Sequence, residues 1–136
     1  MPCGYKQRMR AWIGKFVAGV GVVHCFVGLV VFRGIFADVV RDGLVNTVTW
    51  QPEGAFALGR ADAFWFMAIG LFWVLLGALI DHCERAGQPL PGFLGWALGA
   101  LALTGGLMMP PSGWWWFLIP ALALLRRNRH AEIANH

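Results

Sequence analysis

Between positions 11 and 32 the chain carries a single charged residue, Lys15, in a run long enough to cross a lipid bilayer as one helix. Three further apolar segments follow. Positions 63–80 and 92–109 contain no charged residue, and 114–125 ends where Arg126 begins. A bilayer core asks for about 20 helical residues, with roughly 17–25 tolerated. The first three segments meet that requirement. The fourth rises only about 18 Å against a core of about 30 Å, so it must draw on Pro110-Pro111-Ser112-Gly113 ahead of it. The pattern predicts an all-α integral membrane fold, a four-transmembrane-helix bundle with helices at about 11–32, 63–80, 92–109 and 112–125. Irregular backbone at membrane depth is tolerated only where protein or water satisfies it. The proline turn therefore reads either as the wall of a cavity or as a tight turn with Trp114, Trp115 and Trp116 at the interface.

Composition argues the same way. The 136 residues are 58% hydrophobic and 13% charged, against about 25% charged in a typical soluble domain. A soluble domain this small has much surface to cover with polar groups, and this chain lacks them. The length suits one membrane domain over 1–136. The first apolar run is longer than a signal-peptide core and lacks a clear cleavage site, so it reads as a permanent helix.

The net charge of +4 is concentrated at the ends, in Lys6, Arg8, Arg10 and Lys15, then Arg126, Arg127 and Arg129. Each cluster abuts an apolar run, which reads as anchoring in an anionic membrane and speaks against nucleic-acid binding. With both termini inside, those seven and Arg85 lie on the inner side, and only Arg33, Arg41 and Arg60 lie outside. Eight against three predicts a multi-pass protein of the inner (plasma) membrane with cytoplasmic N- and C-termini. Cys3, Cys25 and Cys83 form no CxxC pair and imply no disulfide framework.

The outer connection, 33–62, is too long for a simple loop. Within it Ile35, Phe36, Val39, Val40, Leu44 and Val48 recur at helical spacing, with Asp38, Arg41, Asp42, Asn46 and Thr49 mostly opposite. This predicts an amphipathic outer helix at about 34–49, broken by Gln51-Pro52-Glu53-Gly54. The inner connection, 81–91, holds Asp81, His82, Glu84 and Arg85, which read as solvated helix-end residues without a role.

Apolar helices in lipid associate largely through small residues that let backbones approach. The first segment carries Gly14, Ala18, Gly21, Cys25 and Gly28, and the third carries Gly92, Gly95, Gly99, Ala102 and Gly106. Both alternate in steps of three and four, the signature of one face of a left-handed helix pair. The second repeats Ala63, Gly70 and Gly77 every seven residues. These seams predict a packed bundle centred on the first and third helices.

Several short patterns occur in a fixed order: Gly21-x-x-His24-x-x-x-Gly28, Asp42-Gly43-x-x-Asn46, Phe64-Trp65-Phe66, Pro89-x-Pro91 with Gly95 and Trp96, and Pro110-x-Ser112-Gly113. Over about residues 15 to 127 the chain resembles a family of small uncharacterised bacterial membrane proteins with four predicted helices, a domain of unknown function. The resemblance implies a four-helix membrane fold and brings no activity with it.

His24 is the ionisable residue deepest in a span, beside the small-residue seam, and such groups are functional candidates by default. The plainer reading is a neutral histidine bonded across helices, to Thr104, Ser112 or a backbone carbonyl freed by the prolines of the Pro110-Pro111 turn. Asp42 and Asn46 share a face of the amphipathic helix. If that helix folds over the bundle, they and His24 would flank a lipid- or isoprenoid-like ligand, with Ser112, Trp65 and Trp114 around the same outward-facing pocket, and proton transfer would be available there. The alternative is a solvated polar face with Asp38 and Arg41 paired. Met67, Met108, Met109, Cys25 and His24 share the outer half of the membrane, a soft set that suits Cu(I) in donor type but matches no metal motif in spacing. No nucleophile elbow, zinc-protease motif or phosphate-binding loop is present, so no metal and no cofactor is expected. Three readings follow: a non-catalytic accessory, interaction or oligomeric membrane module; a membrane enzyme or carrier for a hydrophobic ligand; and a small channel or metal-handling protein.

Overall fold

The computed structural model describes residues 11–44, 47 and 58–134. Asn46, Val48, Thr49 and the Gln51–Gly54 break lie outside the described residues, as do Lys6, Arg8 and Arg10. Within them the protein is all-α: α1 (Ile13–Val31), α2 (Arg33–Arg41), α3 (Leu58–Arg85), α4 (Gly92–Met108), a 3-10 turn (Gly113–Phe117) and α5 (Leu118–Ala134). Two of these, α1 and α3, are long and apolar enough to cross a membrane. The core helix of a soluble protein would be mostly buried, but only 28% of each apolar stretch is. α4 is apolar but shorter, at 17 residues.

The boundaries differ from the sequence expectation where capping chemistry intervenes. The amphipathic helix stops at Arg41 instead of running to about position 49. Asp42 caps it, Gly43 enters the left-handed region at φ 95°, and Leu44 follows at φ 65°. The Gly43 N–H donates to the Val40 carbonyl and the Leu44 N–H to the Val39 carbonyl, the bond pair of a Schellman terminus. α3 exceeds the expected 63–80 at both ends, reaching Leu58 and Arg85. Gly87, at φ 68°, closes it by the same device, with Gln88 donating to the Cys83 carbonyl. The expected 112–125 helix begins as the 3-10 turn and becomes α-helical only from Leu118, then runs through the arginines to Ala134. Pro120 accounts for the change of winding: in an uninterrupted α-helix its ring would meet the carbonyl of Trp116, whereas in a helix's first turn proline is tolerated.

The chain forms two compact units. One comprises the start of α1 up to Ala18 together with everything from Leu76 onward. It holds most of the buried side chains, among them Ile13, Val17, Ile80, Leu98, Leu124 and Pro120. Its α1 and α3 segments touch backbone to backbone, because a Cβ on Gly14 would overlap Asp81 and one on Gly77 would overlap Ala18. In the same unit Gly95 accommodates Leu124 and Leu125 of α5, whereas Gly99 has only Ala121 Cβ within reach, at 3.8 Å. Gly105 and Gly106 receive the Trp114 and Trp115 rings, and the Trp115 indole donates to the Pro110 carbonyl at 3.0 Å.

The other unit spans Gly19–Leu75 and buries Ala63, Gly21, Gly28, Gly70 and Trp73. Here α1 meets α3 at Gly21, which lies against Val74 and the Gly70 carbonyl, and at Gly28, which faces Phe66 and Met67. α2 leans on the same unit through Ile35, whose Cδ1 would lie 3.0 Å from a Cβ on Gly59. In both units the small residues of α1 therefore find their partner in α3. The residues that α4 meets at Gly95, Gly105 and Gly106 belong to α5 and the turn before it.

Candidate functional site

His24 sits on the inward face of α1, half-buried, opposite a gap left by Gly70. Through that gap its Nε2 reaches the Phe66 carbonyl at 3.1 Å. A carbonyl only accepts, so Nε2 carries the proton in this bond. The imidazole also stacks on the Phe66 ring, with centroids 3.9 Å apart and planes 13° apart. Phe32 closes over the same ring edge-on at 5.5 Å. Cys25 fills the other side of the gap, its Sγ lying 2.5 Å from where a Gly70 Cβ would stand and 4.0 Å from the Met67 carbonyl. The histidine thus ties two helices together, and its partner is the carbonyl of Phe66 in α3 rather than Thr104, Ser112 or a carbonyl freed by the prolines.

Asp42 is held elsewhere. Its Oδ2 accepts from Arg60 at 2.6 Å, and the same guanidinium donates to the Thr47 carbonyl at 3.2 Å. Arg60 thereby clamps the end of α2 to the first turn of α3. Asp38 pairs with Arg41 at 3.0 Å, on an exposed surface. No hydrogen bond or ion pair joins His24 to Asp42 among the described residues, and Asn46 lies outside them.

The remaining expected positions scatter. Trp65 is exposed and contacts Phe64 edge-on at 5.4 Å. Trp114 is half-buried over Gly105 with Phe117 6.0 Å away. Ser112 donates its backbone N–H to the Met109 carbonyl, while its buried Oγ has no hydrogen-bond partner among the described residues. Among the described residues no three histidine, cysteine or acidic side chains converge as metal ligands.

The most strongly organised polar site involves a residue read from sequence as solvated. Glu84 is buried, with its side chain fully withdrawn from the surface. Oε1 accepts from Arg127 of α5 at 2.7 Å, and Oε2 accepts from the Gly14 N–H in the first turn of α1 at 3.1 Å. One carboxylate therefore joins three helices and satisfies a helix N-terminal amide that has no intrahelical acceptor. Asp81, one turn before it, pairs with Arg85 at 2.7 Å through Oδ2, and its buried Oδ1 has no partner among the described residues. A signal was present in the sequence. The seven-residue repeat of Ala63, Gly70 and Gly77 continues to Glu84, and Trp73 and Ile80 fill the intermediate positions of the same buried face. Arg60 and Gly105 gave no comparable local sign.

Residues 8–131 match the family described as "Family of unknown function (DUF6463)", and the chain belongs to that family. No curated protein and no solved structure matches it.

Proposed function

We propose that this family member is a four-span, multi-pass protein of the inner (plasma) membrane with both termini cytoplasmic. It acts there as a non-catalytic module, an accessory or interaction subunit of a larger membrane assembly or a homo-oligomer. One observation carries the second half of the reading: the polar groups best placed for chemistry are already engaged in holding helices together. His24 is committed to the Phe66 carbonyl, Asp42 to Arg60, and Glu84 to Arg127 and Gly14. Each of these bonds gives its residue a structural task that accounts for its position without invoking a reaction.

The membrane placement is supported by what the helices leave uncovered. Val22, Val23 and Phe26 on α1, Phe72, Leu75 and Leu79 on α3, and Leu107 and Met108 on α4 are all exposed. So many exposed large apolar side chains are a liability in water and ordinary in lipid. α1 rises about 28 Å and α3 about 42 Å, so both can cross a core of about 30 Å, the second with length to spare. α4 rises about 26 Å and needs only slight local thinning. α5 supplies the fourth crossing together with the 3-10 turn ahead of it.

Native mass spectrometry of the full chain released from membranes tests the functional half. The expected result is a protein-only complex, either a defined oligomer or an assembly with other membrane chains. A stoichiometric hydrophobic small molecule that disappears in His24→Ala would replace this reading with that of a ligand carrier.

A further inference from the structure

The Glu84 junction has a second consequence, for the basic residues around it. Gly14, Glu84 and Arg127 are bonded to one another, so Lys15, next to Gly14, and Arg126, next to Arg127, lie at the same end of their unit. Arg127 is turned inward to Glu84. Arg126 and Arg129 are exposed, as is Lys15, and none of the three has an ion-pair partner among the described residues. On α5, Ile119, Leu122, Arg126 and Arg129 follow one another in steps of three, four and three, so they share one helix face. The first two are exposed apolar side chains, at 43% and 52%. Arg126 stands about 6 Å of rise beyond Leu122, and Arg129 about 4.5 Å further.

A face that is apolar along its length and cationic at its end has the profile of a phospholipid, acyl chain below and phosphate above. Neither half alone would specify a ligand. Exposed leucine contacts any lipid tail, and terminal arginines orient any span. Their alignment on one face, with the intervening arginine withdrawn by a buried carboxylate, leaves two guanidinium groups without an ion-pair partner among the described residues where a phosphate would lie. Guanidinium forms bidentate bonds to phosphate oxygens. We infer that the Ile119–Leu122–Arg126–Arg129 face of α5, with Lys15 beside it, is a binding surface for the headgroup of an anionic phospholipid. The inference rests on the membrane-spanning reading and adds to it a lipid class and the residues that select it.

The test uses the full chain in detergent micelles. Phosphatidylglycerol or phosphatidylcholine of matched acyl chains is added, and bound lipids are counted by native mass spectrometry. The wild type is expected to retain phosphatidylglycerol over phosphatidylcholine by roughly 30- to 100-fold, the scale for two or three basic side chains at an anionic surface. R126Q/R129Q should lose that preference, while R126K/R129K, which keeps the charge, should retain most of it. An unchanged thermal unfolding midpoint in both doubles shows that neither has lost its fold. Excess inorganic phosphate should not displace the lipid. Equal preference in the wild type and R126Q/R129Q would overturn the inference, and so would complete displacement by inorganic phosphate, which would make the occupant a free anion. A wild type that binds both lipids equally defeats the headgroup site and leaves the spans standing. A chain that binds neither and is recovered in the soluble fraction of cells defeats both.

Discussion

The two units solve the same problem, a polar group inside an apolar helix pair, in opposite ways. Around His24 the solution is local: one neutral ring, one carbonyl on the facing helix, and a glycine that opens the space between them. Around Glu84 it is distributed, with a charged side chain drawing one partner from α5 and another from the first turn of α1. The difference follows from what each group needs. A neutral imidazole donates one bond and can rest its faces on aromatic rings. A buried carboxylate must have its charge balanced and its lone pairs satisfied. The histidine therefore fastens two helices, and the glutamate organises three. Backbone contact does not separate them: α1 and α3 press backbone to backbone at Gly14 and Gly77 in one unit and at Gly21 in the other, where Gly28 instead meets the side chains of Phe66 and Met67.

Substitutions should rank accordingly in thermal unfolding of the detergent-solubilised protein. The largest effect is expected from Gly77→Leu. Any Cβ there meets the Ala18 backbone, which cannot give way as a flexible side chain would, so no folded protein should be recovered. Recovery of a normally folded variant would mean the two helices are not in backbone contact. Next comes Glu84→Ala, which strands Arg127 and the Gly14 amide. Loss of one partner of a buried pair costs about 3–5 kcal/mol, and Arg127 is a third exposed, so about 2–3 kcal/mol is expected. His24→Ala should cost about 1 kcal/mol, the scale of one interhelical hydrogen bond in a membrane protein. A loss as large as that of Glu84→Ala would erase the contrast between the two sites. Gly99→Ala should be neutral or stabilising by up to about 0.5 kcal/mol. Its nearest neighbour leaves room for a methyl group, and alanine is the better helix former.

That last pair sharpens what could be read from the sequence. Gly21 and Gly99 occupy equivalent positions in two equally regular small-residue stripes, and spacing alone gives them equal weight. In the structure Gly21 faces the Val74 amide and the Gly70 carbonyl, while Gly99 faces one methyl group. A stripe announces that a helix can approach something closely; it does not say what. The positions of the helices were legible because uninterrupted apolar runs leave few alternatives. Their ends were less so: Asp42-Gly43 looks like part of a continuing amphipathic pattern until the left-handed glycine is seen, and the charged residues 81–85 look like a connection although the helix runs through them to Arg85 and closes at Gly87.

Among the candidate residues, the place of His24 beside the small-residue seam of its helix was readable and its partner was not, because Phe66 offers only a backbone carbonyl, a group every residue has. Glu84 was misread for the opposite reason. It stands in a charged stretch, Asp81 to Arg85, that resembles a solvated helix end, and only the continuing heptad register marks it as inward-facing. The Asp42–Arg60 pair spans 18 positions, a separation that carries no local periodic signal.

The crossing pattern itself is tested most directly by thiol accessibility in intact cells. Cys3, Cys25 and Cys83 would be replaced by serine, and single cysteines introduced at Ala37 on α2, at Gln88 after α3 and at Gly113 after α4, all exposed positions. Four spans with both termini inside predict that a membrane-impermeant maleimide labels the Ala37→Cys and Gly113→Cys variants from outside, and Gln88→Cys only after the membrane is opened. Labelling of Gln88→Cys in intact cells, with Ala37→Cys and Gly113→Cys protected, would contradict that topology. Equal labelling of all three would contradict the spans themselves.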